Sequence, residues 1–253
     1  MHLLSKSKYI RGLQCDRALW LDVHRPSLAR YTREQMQRFD RGREFEYAFK
    51  STFPDGIDIS AELKRNVDAY PALTAQLLDK EEGVSLFEAG FHYDDVLVLA
   101  DVVHQREDGT LDIYEVKSGN TLSETYKRDA ALQHYVISHC REIHTFSIVY
   151  ANPSGGFITE DLTEALQAQH DEIEKNIAAM KDIIRGGEPD TPTGQHCLEP
   201  YACPYQHYCQ LGVRQMSLFY ISSNTEYIQG EVGITRMRHE VGIMALLQPG
   251  FHK

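Results

Sequence analysis

No apolar run in this chain approaches the roughly 18 residues needed to cross a bilayer as a helix. The opening Met1-His2-Leu3-Leu4-Ser5-Lys6 has no apolar core of signal-peptide length. The expectation is therefore a soluble, cytoplasmic protein with no membrane partner. Glycine and proline, at 17 and 9 of 253 residues, show no excess over ordinary usage, which excludes collagen-like chains. There is no internal repeat and no low-complexity stretch. What remains is ordinary globular composition, 42% hydrophobic and 25% charged, long enough for one large domain or two small ones.

An overall excess of positive charge is also missing. The net charge is −11, which does not advertise a nucleic-acid binder. The average hides an asymmetry, however. Residues 1–50 carry 11 Lys and Arg against 6 Asp and Glu, a net of +5, whereas residues 51–253 carry 15 against 31, a net of −16. A basic N-terminal fifth on an acidic body is either a phosphate-contacting surface or a set of solvated helix faces.

Cysteine is sparse and odd in number: Cys15, Cys140, Cys197, Cys203 and Cys209. An odd count without a leader argues against a disulfide framework. Three of the five form the run Cys197-x5-Cys203-x5-Cys209, interrupted by Pro200 and Pro204, so this segment reads as a loop. Three thiolates in one loop repel one another unless a cation neutralises them. A fourth ligand would complete either a four-cysteine iron–sulfur cluster or tetrahedral zinc. Cys15 sits in a turn-like break and is the expected fourth cysteine. Cys140 ends a helical pattern and is expected as a buried core thiol. His196 and His207 keep a three-cysteine, one-histidine zinc site open.

Hydrophobic periodicity predicts helices over 7–22 (capped by Ser7), 33–52 and 71–80, the second with Met36, Phe39, Phe45, Ala48 and Phe49 on one side. The period then changes. Strands are expected over 85–93, 96–103 and 111–116, joined by turns at Asp94-Asp95 and Asp108-Gly109. A helix over 124–140 leads to a strand over 146–150. A long helix follows over 163–185, stopped by Gly186-Gly187. The order predicts a mixed α/β core: a three-stranded meander, a helical crossover and a fourth strand. The stretch 213–253 has no clear pattern.

Glu115-Val116-Lys117 closes the third strand, and residues two apart share a strand face. Asp101 lies in the apolar run Val98-Leu99-Ala100-Asp101-Val102-Val103 of the preceding strand, where a carboxylate is costly to bury without a partner. A metal ion or Lys117 would supply one. Glu-x-Lys is common by itself; Glu62-x-Lys64 has the same spacing without strand context. The coupling to Asp101 across a hairpin is what makes Glu115 and Lys117 informative. Glu44 and Glu46 on the second helix could bring a further carboxylate, and Gln133 and Tyr135 lie on the helix after the third strand.

These residues resemble the PD-(D/E)xK nucleases of the RecB-like branch. With Leu4–Cys15 and the late cysteines, the chain is similar to that branch's iron–sulfur members, the CRISPR-associated exonucleases among them. Three departures stand out. The family's Gly-x-x-x-His reads Gly42-x-x-x-Glu46, its Gln-x-x-x-Tyr ends in Ile137, and its usual Cys-x2-Cys step is x5 here. The resemblance implies a restriction-endonuclease-like α/β fold, a mixed central sheet flanked by helices. It implies a domain over 1–212 (core about 33–152) whose ends are joined by a structural 4Fe–4S cluster on Cys15, Cys197, Cys203 and Cys209, with 213–253 an appended segment. It further implies a metal-dependent DNA nuclease, an exonuclease acting on single-stranded ends, with Asp101, Glu115, Lys117 and Gln133 catalytic. Mg²⁺ or Mn²⁺ would be held by Glu46, Asp101, Glu115 and the Val116 carbonyl. Single-stranded or duplex DNA ends, and protein partners in DNA processing or defence, are the implied partners. The alternative is a catalytically inactive DNA- or partner-binding module stabilised by the cluster or by zinc.

Overall fold

The computed structural model describes residues 3–63, 66–80 and 83–211, apart from the side chains of Glu34, Arg38, Phe39 and Asp40. The chain separates into two compact units, Met1–Tyr205 and Gln206–Lys253. The first begins with strand β1 (Leu4–Ser5), helices α1 (Lys6–Gln14), α2 (Asp16–His24) and α3 (Arg33–Lys50), strand β2 (Ile57–Asp58), and helices α4 (Ile59–Leu63) and α5 (Tyr70–Lys80). Strands β3 (Ser85–Tyr93), β4 (Val96–Gln105) and β5 (Leu111–Lys117) follow, then helix α6 (Glu124–Ser138). Strands β6 (Ile143–Ala151) and β7 (Phe157–Asp161) and helices α7 (Thr163–Gln167) and α8 (His170–Arg185) complete it. In the second unit the described residues are 206–211, a helical turn. No helix among the described residues is long and apolar enough to cross a membrane.

The first unit is a mixed α/β structure around a seven-stranded mixed sheet flanked by helices. The strand order is β2-β3-β4-β5-β6-β7, with β1 pairing β4 off this path. The expected meander β3-β4-β5 is antiparallel, and α6 crosses over to place β6 parallel to β5. The β3–β4 turn is Asp94-Asp95, both at positive φ (49° and 60°), as a two-residue hairpin turn of type I′ requires. Lys181 of α8 pairs with both carboxylates, at 2.5 and 3.3 Å, which anchors the turn to a helix.

One face of the sheet carries the main core, including Ile113, Phe146, Ile148, Ala130, Val136, Ile173 and Ile177. The other face carries Phe49, Phe87, Val102, Val116 and Val149, against which Phe45, Phe53 and Phe157 pack. Helix α3 therefore lies across the second face, anchored by Phe45 and Phe49, and is started by a capping box between Thr32 and Gln35. Met36 is exposed, not part of the expected apolar side.

Several boundaries differ from the sequence reading. The expected helix 7–22 is two helices broken at Cys15, and Ser5, not Ser7, caps the first. The expected helix 163–185 is broken between Gln167 and His170. Strands β1, β2 and β7 were not expected; the first two have two residues each, too short for alternation to show. The segment 213–253 and Lys64 lie outside the described residues.

Candidate functional site

Alternation slips once on each of two neighbouring strands. On β3, Leu86, Ala89 and Phe91 all belong to the main core, so the period of two is broken between 86 and 89. The break is Glu88, a non-glycine residue at φ 54°. On β4, Val98, Ala100 and Val103 all belong to the main core, and the break falls at Asp101. The ladder runs Phe87↔Val102 and Ala89↔Ala100, skipping Glu88 and Asp101, which stand opposite each other. Extending the Val102↔Tyr114 register by one step sets Asp101 beside Glu115. Three carboxylates thus stand in a row across β3, β4 and β5.

Glu46 of α3 joins two of them. Carboxylate oxygens of Glu46, Glu88 and Asp101 all lie within 4.8 Å of one another, and among the described residues this is the only trio of metal-capable side chains so placed. Lys50, one helical turn after Glu46, pairs with Glu46 and donates to Glu88 Oε1 at 2.8 Å. Burial pushes the Glu88 carboxyl up despite Lys50, and the neighbouring Glu46 adds to the rise. Burial also raises Asp101 well above the ordinary carboxylate range, with the charge of Glu115 acting in the same direction. Its Oδ2 accepts the Val116 amide at 2.7 Å. The contribution of Val116 seen here is thus its N–H. The trio is a set of hard oxygen donors crowded into a partly buried space, and such a set fits Mg²⁺ or Mn²⁺.

Glu115 faces a different set of partners. It is 1% exposed. Its Oε1 accepts from Lys117 Nζ at 2.5 Å and Lys6 Nζ at 2.9 Å, and its Oε2 accepts from Gln133 Nε2 at 2.6 Å. Burial would raise this carboxyl, but Lys117 and Lys6 outweigh it and hold Glu115 well below the usual carboxylate range. Lys117 also pairs with Asp129 of α6 and lies over the Tyr126 ring. Burial opposes the charge on Lys117, yet Asp129, Glu115 and Asp101 together raise it well above its ordinary value. Gln133 acts on Glu115, not on Lys117.

Of the expected metal set, Glu46 and Asp101 share the trio, whereas Glu115 holds ammonium groups. Glu88, Asp129 and Lys6 were missed. Glu88 could have been suspected as the polar residue inside Leu86-Phe87-Glu88-Ala89-Gly90-Phe91, and Asp129 from its i, i+4 spacing to Gln133. No local signal marks Lys6. Tyr135 packs on Tyr93, His139 and His170.

A second group lies where the chain ends of the first unit meet. Cys15 is the residue between α1 and α2, and Cys197 sits in a short turn over Gln195–Cys197. The Cys203 amide donates to the Cys197 carbonyl at 2.8 Å. Gln14 Nε2 donates to the His196 carbonyl at 2.6 Å and the Tyr201 carbonyl at 2.8 Å, so the loop is fastened beside Cys15. Burial raises the thiols of Cys15 and Cys203, and the charge of the neighbouring cysteines adds to the rise in both. Thiols held together in this way fit a bound cation. His196 Nε2 lies 3.7 Å from Cys197 Sγ. Cys209 lies in the second unit, on the turn 206–211, as does His207. Cys140 is exposed and donates to the His92 carbonyl at 3.6 Å, which corrects its reading as a core thiol: the helix ends at Ser138, so residue 140 has already left the buried face.

No protein-family model matches this chain, and no curated protein matches it. A solved structure titled "Crystal structure of SSO0001" is similar, at 14% identity and a TM-score of 0.44, over 82% of this chain and 85% of that one.

Proposed function

We propose that this chain is a metal-dependent DNA nuclease of the PD-(D/E)xK type, acting as an exonuclease on single-stranded ends. The observation that carries the reading is the row Glu88, Asp101, Glu115 across three neighbouring strands, with Glu46 closing one end and Lys117 the other. Glu46, Glu88 and Asp101 would hold Mg²⁺ or Mn²⁺. When bound, the ion lowers the pKa of a water and neutralises charge on a phosphodiester. Asp101 is positioned for this by the Val116 amide. Lys117 is fixed by Glu115 and Asp129, and three carboxylates keep it protonated, so it serves as a hydrogen-bond donor and cation, not as a base. Its place beside the trio suits stabilising the negative charge that develops during hydrolysis.

Cys15, Cys197 and Cys203 would be ligands of a structural 4Fe–4S cluster. The His196–Cys197 approach is what favours zinc as the second reading.

The test is Mn²⁺-supported cleavage of end-labelled single and double strands by anaerobically purified protein. Lys117→Ala should keep Mn²⁺ binding and lose at least about a hundredfold in cleavage rate, about 2.7 kcal/mol of transition-state stabilisation. Undiminished cleavage with the ion bound would remove Lys117 from the mechanism and leave the nuclease reading without its central observation.

A further inference from the structure

Residues three and four apart share a helix face, so Arg11, Gln14 and Cys15 line one side of α1 as it ends. The Cys15 amide closes the last turn onto the Arg11 carbonyl at 2.9 Å. Gln14 shows where that side points, because its amide holds the carbonyls of His196 and Tyr201 in the cysteine loop. Arg11 lies one turn back on the same side. Gly12, one step further round the helix, packs against Met180 of α8 instead.

The Arg11 guanidinium is not satisfied where it sits. Its Nε is buried and has no hydrogen-bond partner among the described residues. Asp22 Oδ2, at 4.0 Å, is beyond hydrogen-bond reach. Asp22 Oδ1 accepts the Tyr205 hydroxyl at 2.5 Å, which brings Arg11 beside the 203–205 segment. Burial raises both the Cys203 thiol and the Tyr205 hydroxyl, and the Arg11 charge opposes the rise at each. A buried donor without an acceptor is costly, so this one implies a missing partner. Backbone amides already reach two of the sulfurs, those of Arg17 and Ala18 at Cys15 and that of Tyr205 at Cys203. The Arg17 side chain pairs with Glu188 at 2.7 Å. Arg11 adds to these amides a full positive charge with a donor still to place.

We propose that Arg11 is the counter-charge of the cluster, its Nε–H directed at the sulfur group, and that it raises the potential at which the cluster accepts an electron. The inference rests on the cluster reading above. A thiolate-bound 4Fe–4S cluster is an anion. One-electron reduction turns one ferric iron ferrous and adds one negative charge, with no proton moved. A fixed cation and a hydrogen bond to sulfur attract the more negative, reduced form more strongly. Arg11 is a positioning residue in this role, not a ligand.

The experiment is a dithionite titration of the anaerobically purified full chain, followed by cluster absorbance and electron paramagnetic resonance against mediators of known potential. Dithionite supplies the electron. Arg11→Gln removes the charge and should lower the reduced-to-oxidised ratio at a fixed potential at least about tenfold, equivalent to about 59 mV for one electron. Arg11→Lys keeps the charge and should stay within about threefold of wild type. Asp22→Asn removes a neighbouring negative charge and should shift the ratio the opposite way. A purely structural Arg11–Asp22 pair would instead weaken both variants alike and leave both potentials in place, which overturns the proposal. A wild-type cluster that dithionite leaves oxidised also overturns it. If Arg11→Gln holds no iron, Arg11→Lys decides: iron retained by the lysine variant supports the counter-charge, and iron lost in both overturns it. A wild-type chain without iron removes the cluster reading, and this inference with it.

Discussion

The backbone at Glu88 makes a prediction that separates site geometry from ordinary strand behaviour. In a normal strand, alanine is more stable than glycine by about 0.5–1 kcal/mol, because glycine loses more chain entropy on folding. Glu88 has φ 54°, in the left-handed region that costs an L-residue about 1–2 kcal/mol. Both Glu88→Ala and Glu88→Gly remove the carboxylate, so the loss of its pairing with Lys50 is common to them. Their difference isolates the backbone. Glycine relieves the left-handed cost and incurs the entropic one, so Glu88→Gly should exceed Glu88→Ala by about 0.5–1 kcal/mol, the reverse of the usual strand order. For a domain of this size that is a gap of about 1–4 °C in Tm. Urea and thermal denaturation of the two variants without metal measure it. The same samples with Mn²⁺ test the ligand: the ion-dependent rise in Tm expected of wild type should shrink sharply in both. An alanine variant as stable as the glycine one would refute the strained geometry. A full Mn²⁺ response in either would remove Glu88 from the ligand set.

Three further outcomes follow. Burial and the neighbouring His170 lower His134 to about 4, so below pH 6.5 the unfolded chain binds a proton the folded one refuses. Stability should fall as pH drops from about 6.5 to about 4, and His134→Gln should flatten that part of the urea-midpoint profile; an unchanged slope counts against it. A Cβ at Gly90 would lie 2.5 Å from the Tyr70 Cβ and 2.9 Å from the Pro71 nitrogen, atoms that cannot swing away, so Gly90→Ala should cost about 1–3 kcal/mol in chemical denaturation. Anaerobically purified protein should be brown, with about four irons per chain. Cys15→Ser, Cys197→Ser and Cys203→Ser should lose that colour while Cys140→Ser keeps it; a colourless protein with one zinc refutes the cluster.

The sequence alone determined the central elements, β3 to β6 with α3 and α6, and their order. Apolar richness over 85–93 and the apolar run over 96–103 marked β3 and β4, the apolar periodicity marked α3 and α6, and the turn residues at 94–95 and 108–109 joined the meander. These are local signals, because which face of a strand or helix is buried is written in residues two to four apart. It also singled out Asp101, since a charged group in an apolar run shows without any fold, and through it Glu115 and Lys117 across the hairpin and Gln133 on the helix that follows. Only the tertiary structure decided what those groups touch. The slip of alternation at Glu88 turns a strand residue toward Asp101, and a single φ value leaves no trace in composition. Lys6 reaches Glu115 because β1 fills the edge of β4 that β5 leaves open, a pairing across 92 residues between Leu4 and Val96. Gln14 closes the cysteine loop on Cys15 across 182 residues. Partners so distant are brought together by sheet edges and helix packing, not by spacing, and so the division of Glu115 from the Glu46, Glu88 and Asp101 trio became visible only in three dimensions.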